Sequence, residues 1–392
     1  MKLNENIKKI EDANAFLRVS SVIADYKKNH PNHQVLSLGI GDVSRPIVKP
    51  IIEAMHKAVD DLSSMDTFKG YGGSYGYDFL KEKIKEFDYH DLNINQDEIY
   101  VSVGTKTDST NILELFDINS KIAITSIMYP IYHNGAVCLN RNVTCLEGKE
   151  ENNFIPEIPK EHFDLIYICS PCNPTGICYT YTDLKKWVNY ALENKAVILY
   201  DNVYSSFITS YDAPKSIYEI ENARKVAIEF RSFSKNAGFT GVRCSYYVIP
   251  EEIEKGINNL WKKRTINRFN GADYIAQKGA EAVYLESSQK LIKENIAYYH
   301  ENARILRKSF EKLGFKVYGG VDSPFMWVRI KDNLTSWEWF NLLLNELEII
   351  VVPGIIFGNS GDSYFRVSAL GNRDDIKLII ERLNRYYEKE SI

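Results

Sequence analysis

Residues 164–176 read Asp-Leu-Ile-Tyr-Ile-Cys-Ser-Pro-Cys-Asn-Pro-Thr-Gly, and residues 196–204 read Ala-Val-Ile-Leu-Tyr-Asp-Asn-Val-Tyr. Each is a short run of apolar, mostly β-forming residues that stops on polar and turn-forming ones. The runs lack the apolar–polar alternation of a half-exposed strand, so they read as strands buried on both faces, as in a parallel sheet. Residues 181–194 between them read as a helix. Strand–helix alternation of this kind predicts a mainly parallel α/β sheet covered on both sides.

Working outward, strand-like runs at 98–103, 121–126, 142–146, 225–231 and 245–249 join those at 164–169 and 196–201. That makes seven, with further helical stretches at 106–116 and 132–139. Toward the N-terminus a helix over 17–29 leads into Leu36-Ser-Leu-Gly-Ile-Gly41. Beyond the last strand, residues 251–310 are mostly helical, interrupted at Gly271. The tail mixes strands near 315–318, 325–330, 348–352 and 363–368 with helices near 335–346 and 373–388, which suits an antiparallel-sheet α+β unit. The expectation is a large α/β domain over 46–284 and a smaller domain built from 1–45 and 285–392.

Composition excludes several classes. Across 392 residues, 48 Lys and Arg against 52 Asp and Glu leave a formal charge of −4, without the basic excess that a nucleic-acid binder needs. No run of about 18 apolar residues predicts a membrane span, and the first residues lack a signal peptide's hydrophobic stretch, so the default expectation is cytoplasmic. Six cysteines are too sparse for a disulfide scaffold. Cys169 and Cys172 form a C-x-x-C, but no second pair with zinc-ligand spacing accompanies it, so they read as buried, inert thiols and no metal is expected.

Three glycine-containing segments are candidate phosphate loops. Gly39-Ile-Gly41 lacks the third glycine of a dinucleotide fingerprint, and Gly70-Tyr-Gly72-Gly73-Ser-Tyr-Gly76 has the wrong spacing. The better candidate is the run Gly104-Thr105-Lys106-Thr107-Asp108, where a strand turns into a helix whose first N–H groups face an anion.

Four elements follow in order, each after a predicted strand: Asn173-Pro-Thr-Gly176, Asp201 with Tyr204, Ser232-Phe-Ser-Lys235, and Arg243. In an open α/β sheet these strand ends share one crevice. The chemistry that wants this set is that of pyridoxal phosphate (PLP). A lysine must join its aldehyde, and a carboxylate must keep its pyridine nitrogen protonated so that the ring accepts electrons. Its phosphate calls for N–H donors and an arginine. An Asn amide and a Tyr hydroxyl can donate to its phenolic oxygen. Taken singly, each element has an ordinary reading as a turn, a helix cap, a solvated lysine or a paired arginine. Their order and spacing favour the site.

This set resembles the fold-type I aminotransferases of class I/II over almost the whole chain, from Leu36 to Phe365-Arg366-Val-Ser. Within the class it is most similar to the LL-diaminopimelate aminotransferases, through Lys69-Gly-Tyr71-Gly, Phe154-Ile-Pro-Glu-Ile-Pro, the run Ser232 to Arg243, and Phe269-Asn270-Gly271-Ala. The resemblance implies PLP as cofactor. Lys235 would hold it covalently and move the substrate proton, Asp201 would pair with the ring nitrogen, and Tyr129 would stack on the ring. Asn173 and Tyr204 would hold the phenolic oxygen, while Thr105, Lys106, Ser232 and Arg243 would bind the phosphate. It further implies a homodimer with shared active sites, in which Tyr71 reaches the partner's cofactor phosphate and Asn270 the partner's site. Arg366 and the Gly41 N–H would clamp the α-carboxylate of an amino-acid or 2-oxo-acid substrate, with glutamate and 2-oxoglutarate as one such pair.

Four positions depart from the LL-diaminopimelate aminotransferase pattern. Ser74 stands where those enzymes place an acid that reads the far end of the substrate. The position of a substrate-contacting tyrosine aligns with Ala15, Arg268 replaces a small polar residue, and Cys172 replaces an asparagine. Transamination is expected to survive, but diaminopimelate as substrate does not follow. A PLP-dependent lyase or decarboxylase on the same scaffold is the alternative. A non-catalytic effector-binding domain would require a DNA-binding extension and basic surface, and the sequence offers neither.

Overall fold

The computed structural model of the chain describes residues 1–10, 13–39, 41–331 and 333–390, and only the backbone of 13–15, 389 and 390. Its strands are β1 (Leu36–Ser37), β2 (Ile99–Ser102), β3 (Ile122–Thr125), β4 (Val143–Leu146), β5 (Leu165–Cys169), β6 (Val197–Asp201), β7 (Ala227–Ser232), β8 (Ser245–Val248), β9 (Val317–Gly319), β10 (Phe325–Arg329), β11 (Ile349–Ile350), β12 (Val352–Pro353) and β13 (Tyr364–Ser368). Seven of them form one sheet in the order β2-β8-β7-β6-β5-β3-β4. All neighbours in it are parallel except β8, which runs antiparallel to both β7 and β2.

Period-2 geometry explains the unbroken apolar runs. Leu165, Tyr167 and Cys169 of β5 join Val197 and Leu199 of β6 in a core on one face. Ile166, Ile168, Ile198 and Tyr200 enter the core on the other. Both faces of the sheet are therefore dry, and neither strand needs a polar side. The helix Tyr181–Asn194 between them starts where Thr180 and Asp183 cap each other and ends at Lys195 in the left-handed conformation. It lays Leu184, Trp187, Val188 and Ala191 on the sheet. Truncating the buried Trp187 to alanine would cost about 3–5 kcal/mol.

A separate core gathers β9, β10 and β13 with the helices Glu286–Lys312, Ser336–Leu347 and Arg373–Glu390 and with Val19, Tyr26, Leu36 and Leu38 from the N-terminal side. Its four-stranded sheet, in the order β12-β13-β10-β9, is antiparallel, as expected for the tail. The strand expected over 348–352 is two strands in different sheets. β11 pairs in parallel with β1, and β12 pairs with β13. The helix expected over 106–116 is α-helical only over Thr105–Asn111 and tightens into a 3₁₀ turn over Ile112–Leu115. Helices Lys49–Asp61 and Asp78–Asp88 were not foreseen, although both bury an apolar stripe, through Ile51 and Ala58 and through Leu80 and Ile84.

Candidate active site

A cavity of about 570 Å³ opens at the C-terminal ends of β5, β6 and β7. These strands are in register neighbour to neighbour, with Cys169 beside Asp201 and Asp201 beside Phe230. The turns that follow them therefore deliver Asn173, Asp201 with Tyr204, and Ser232 with Lys235 to one place. Gly41, Thr105, Lys106 and Tyr129 line the same cavity from the strands and loops around it. Arg243 enters from the segment before β8, and Arg366 from β13 of the second core.

At one end of the cavity stand hydroxyls and cations. Ser232 Oγ accepts from the Ser234 N–H at 3.1 Å and donates to Ser234 Oγ at 3.0 Å. Arg243 donates to Ser234 Oγ at 3.3 Å and to the Thr240 carbonyl at 3.2 Å. Arg243 itself adopts the left-handed conformation, with φ of 68°. Gly104, at the turn before Thr105, has φ of 155°, and a Cβ there would lie 2.3 Å from an Arg243 guanidinium nitrogen. Only glycine leaves room for this cradle of donors, which is what a phosphate requires.

Asp201 lies deeper. Burial pushes its carboxyl up to about 6, against hydrogen bonds from the Tyr132 hydroxyl and the Val203 N–H. No lysine, arginine or histidine pairs with it among the described residues. A desolvated carboxylate without a cation calls for a positively charged partner, such as a protonated ring nitrogen. Lys235 has the complementary feature. Burial brings its amine down to about 8, Asp42 opposing and Arg366 and Arg243 assisting, and Nζ donates to the Gly41 carbonyl at 2.5 Å. Tyr204 is buried, and burial raises its hydroxyl well above the usual range, so it remains a protonated donor.

Arg366 is 4% exposed. Its Nη1 donates to Asn173 Oδ1 at 2.7 Å and its Nη2 to the Gly39 carbonyl at 3.1 Å, while the guanidinium rests on the rings of Phe325 and Phe357. Its Nε has no partner among the described residues. Burial lowers this group to about 10, so it stays cationic at neutral pH. Its bond to Asn173 takes the acceptor end of that amide and leaves the NH₂ end as donor. An unpartnered N–H, a buried carboxylate without a cation and a cradle too tight for a Cβ together fit an anionic, nitrogen-bearing cofactor beside a carboxylate substrate.

Four expected residues lie away from this cavity in their own chain. Tyr71 is 92% exposed. Ser74 and Asn270 sit on adjoining loops, since Gly271 packs so closely on the Gly73 carbonyl that a Cβ would come within 2.6 Å. Arg268 is exposed, its guanidinium 3.7 Å from Glu114 of the same chain. The side chain of Ala15 lies outside the described residues, and its neighbour Phe16 lines the cavity. Sequence reasoning missed Tyr132, Ser234 and Asp42. Tyr132 was signalled by its place three residues after Tyr129, on the first turn of the helix Ile131–Cys138. Cys169, expected to be merely inert, also lines the cavity.

Residues 33–383 match the aminotransferase class I and II family. The chain is 41% identical to an LL-diaminopimelate aminotransferase of Methanosphaera stadtmanae over 98% of this chain and 99% of the relative. It is 42% identical to that of Bacteroides thetaiotaomicron over the same shares. Among solved structures, L,L-diaminopimelate aminotransferase from Chlamydomonas reinhardtii superposes with a TM-score of 0.93 at 33% identity over 99% of both chains. Thermus thermophilus aspartate aminotransferase, at 18% identity and a TM-score of 0.87 over 98% of this chain and 99% of that one, shares the fold.

Proposed function

The chain belongs to the class I and II aminotransferases and is a pyridoxal-phosphate-dependent enzyme, and we propose how its own residues divide the work. When bound, PLP supplies an electron sink that makes the substrate Cα–H acidic. Lys235 is the covalent anchor and the base at that Cα. With a midpoint near 8, roughly a tenth of its amines are neutral at pH 7, against fewer than one in a thousand at the ordinary value of 10.5. Asp201 holds the ring nitrogen protonated, the NH₂ of Asn173 and the Tyr204 hydroxyl hold the phenolic oxygen, and Tyr129 stacks on the ring. Thr105, Lys106, Ser232 and Arg243 hold the phosphate.

Arg366 orients the substrate α-carboxylate with its free Nε, assisted by the Gly41 N–H. The observation that carries this reading is the convergence of a neutralisable lysine, a buried carboxylate without a cation and a half-satisfied buried arginine on one cavity. In the same reading, residues 46–284 form the PLP-binding domain, and residues 1–45 with 285–392 form the smaller one. The functional unit is a homodimer, with Tyr71, Ser74, Arg268 and Asn270 facing the partner's cavity. Its place is the cytoplasm, where its six free thiols stay reduced.

The substrates are an L-amino acid and a 2-oxo acid, glutamate and 2-oxoglutarate forming one pair, and the far end of the amino donor is read differently from the relatives named for LL-diaminopimelate. Ser74 offers a hydroxyl and no charge to a distal ammonium. A charge-assisted hydrogen bond contributes about 1.5–3 kcal/mol, and its loss corresponds to roughly 10- to 100-fold in specificity. The test compares kcat/KM for LL-diaminopimelate, glutamate and neutral amino acids in the wild type and in Ser74→Glu. A gain for diaminopimelate in Ser74→Glu is expected. Diaminopimelate emerging as the best substrate of the wild type overturns the substrate assignment and leaves the cofactor assignment standing.

A further inference from the structure

Tyr132 reaches the carboxylate that the proposed function sets against the ring nitrogen, and the inference below rests on that reading. Its hydroxyl donates to Asp201 Oδ2 and also pairs with the Cys169 thiol, on the residue that faces Asp201 across β5 and β6. Among the described residues the other carboxylate oxygen accepts only the Val203 N–H, at 3.3 Å. The Tyr132 ring is 2% exposed and stacks on Tyr167 at 4.8 Å. Tyr167 is pinned in turn by its hydroxyl, which donates to the Ser109 carbonyl at 2.5 Å. The other ionisable groups around Asp201 are Tyr167, Tyr204, Cys169 and Cys172, none of them a cation.

We propose that Tyr132 is a positioning residue for the cofactor, its O–H keeping the Asp201 carboxylate ionised and fixed in orientation for a cationic ring nitrogen. A dry carboxylate with one long backbone contact takes up a proton, and a hydroxyl donating to its charged form opposes that. The sign follows. Tyr132 donates to the charged form, so removing it raises the Asp201 midpoint from about 6 toward neutrality and leaves less carboxylate ready at pH 7.

The experiment is equilibrium binding of PLP to apoprotein, followed by tryptophan fluorescence from pH 5.5 to 8. It uses wild type, Tyr132→Phe, Asp201→Asn and the double variant. The phosphate's own ionisation is common to all four and cancels in the ratios. Near pH 8, Tyr132→Phe binds within a few-fold of wild type. At pH 5.5 it binds about 10- to 100-fold more weakly, the worth of one charge-assisted hydrogen bond. In the Asp201→Asn background the same change has no pH-dependent effect. A loss of equal size at every pH marks a packing role and overturns the inference. So does an acid limb that Asp201→Asn removes but Tyr132→Phe leaves in place. If Asp201→Asn keeps the wild-type pH dependence, the assignment of Asp201 to the ring nitrogen falls first.

Discussion

The cavity floor and the two surface segments at 64–76 and 260–271, the second starting within the helix Ile257–Ile266, are both rich in aromatic and charged side chains, yet they are satisfied in opposite ways. On the floor, Tyr132, Asp201, Tyr204 and Arg366 are buried, and most of their polar atoms find partners within the chain. On the surface segments, Met65 is 96% exposed, and Phe68, Tyr71, Leu260 and Ile266 are also exposed. These segments are nonetheless fixed to one another, by Gly271 against Gly73 and by the Tyr75 hydroxyl donating to the Lys262 carbonyl at 3.3 Å. Ordered segments that present several large apolar side chains to solvent are a surface meant to be covered. One chain thus carries most of the groups that would grip a cofactor, while these segments face solvent with the residues that we propose to serve a partner's cavity.

The floor is where substitutions should do most damage. Lys235→Ala should abolish borohydride trapping of PLP on the chain and lower turnover by about three orders of magnitude or more. In the wild-type apoprotein, capture of PLP by this amine should accelerate as pH rises through about 8, because only the neutral form attacks and burial has brought its midpoint there. A trapped lysine adduct in Lys235→Ala would dismantle the whole site assignment. Asp201→Ala should cost on the order of 10²- to 10³-fold in kcat, the usual worth of one preorganised charge partner. Turnover within a few-fold of wild type would mean that another carboxylate does the work. Arg366→Lys should be milder, raising KM by roughly 10- to 100-fold, since an ammonium cannot replace a planar fork lodged on Phe325 and Phe357. An unchanged KM would move the carboxylate site elsewhere.

The same contrast explains how much the sequence disclosed. Six strands of the large sheet were legible because largely buried strands are written as apolar runs with abrupt polar ends, whereas the edge strand β4, which exposes Thr144 and Cys145, was legible as a short β-forming run. The strand-end positions of Asn173, Asp201 and Lys235 followed from that pattern. The break between β11 and β12 was not legible, since Ile349-Ile-Val-Val352 is one apolar run and only its two different partner strands divide it. Tyr132 was missed for a related reason. A tyrosine in an apolar helix reads as core, and its contact with Asp201 lies 69 residues away in sequence. Arg268 shows the limit at the surface, where sequence cannot tell a substrate contact from the pairing with Glu114.

The loops admit a test in which neither region suffices alone. Tyr71→Phe combined with Asn270→Ala should inactivate a chain by damaging what it lends to its partner, leaving its own Lys235 cavity whole. Lys235→Ala damages the cavity and leaves the loops whole. Mixed one to one and re-equilibrated, about half of the dimers pair one chain of each kind, by the symmetry of a two-fold interface. Each such dimer has one cavity with an intact lysine served by intact loops, and one with neither. Activity should therefore return to about a quarter of the wild-type value, measured per chain after subunit exchange. If each chain's loops served its own cavity, every cavity in the mixture would carry one lesion and no activity would return. A catalytically competent monomer in sedimentation would exclude the shared site on separate grounds. Recovery near a quarter fits one repaired cavity per mixed dimer, which is the arrangement that the exposed Tyr71 and its fixed loop imply.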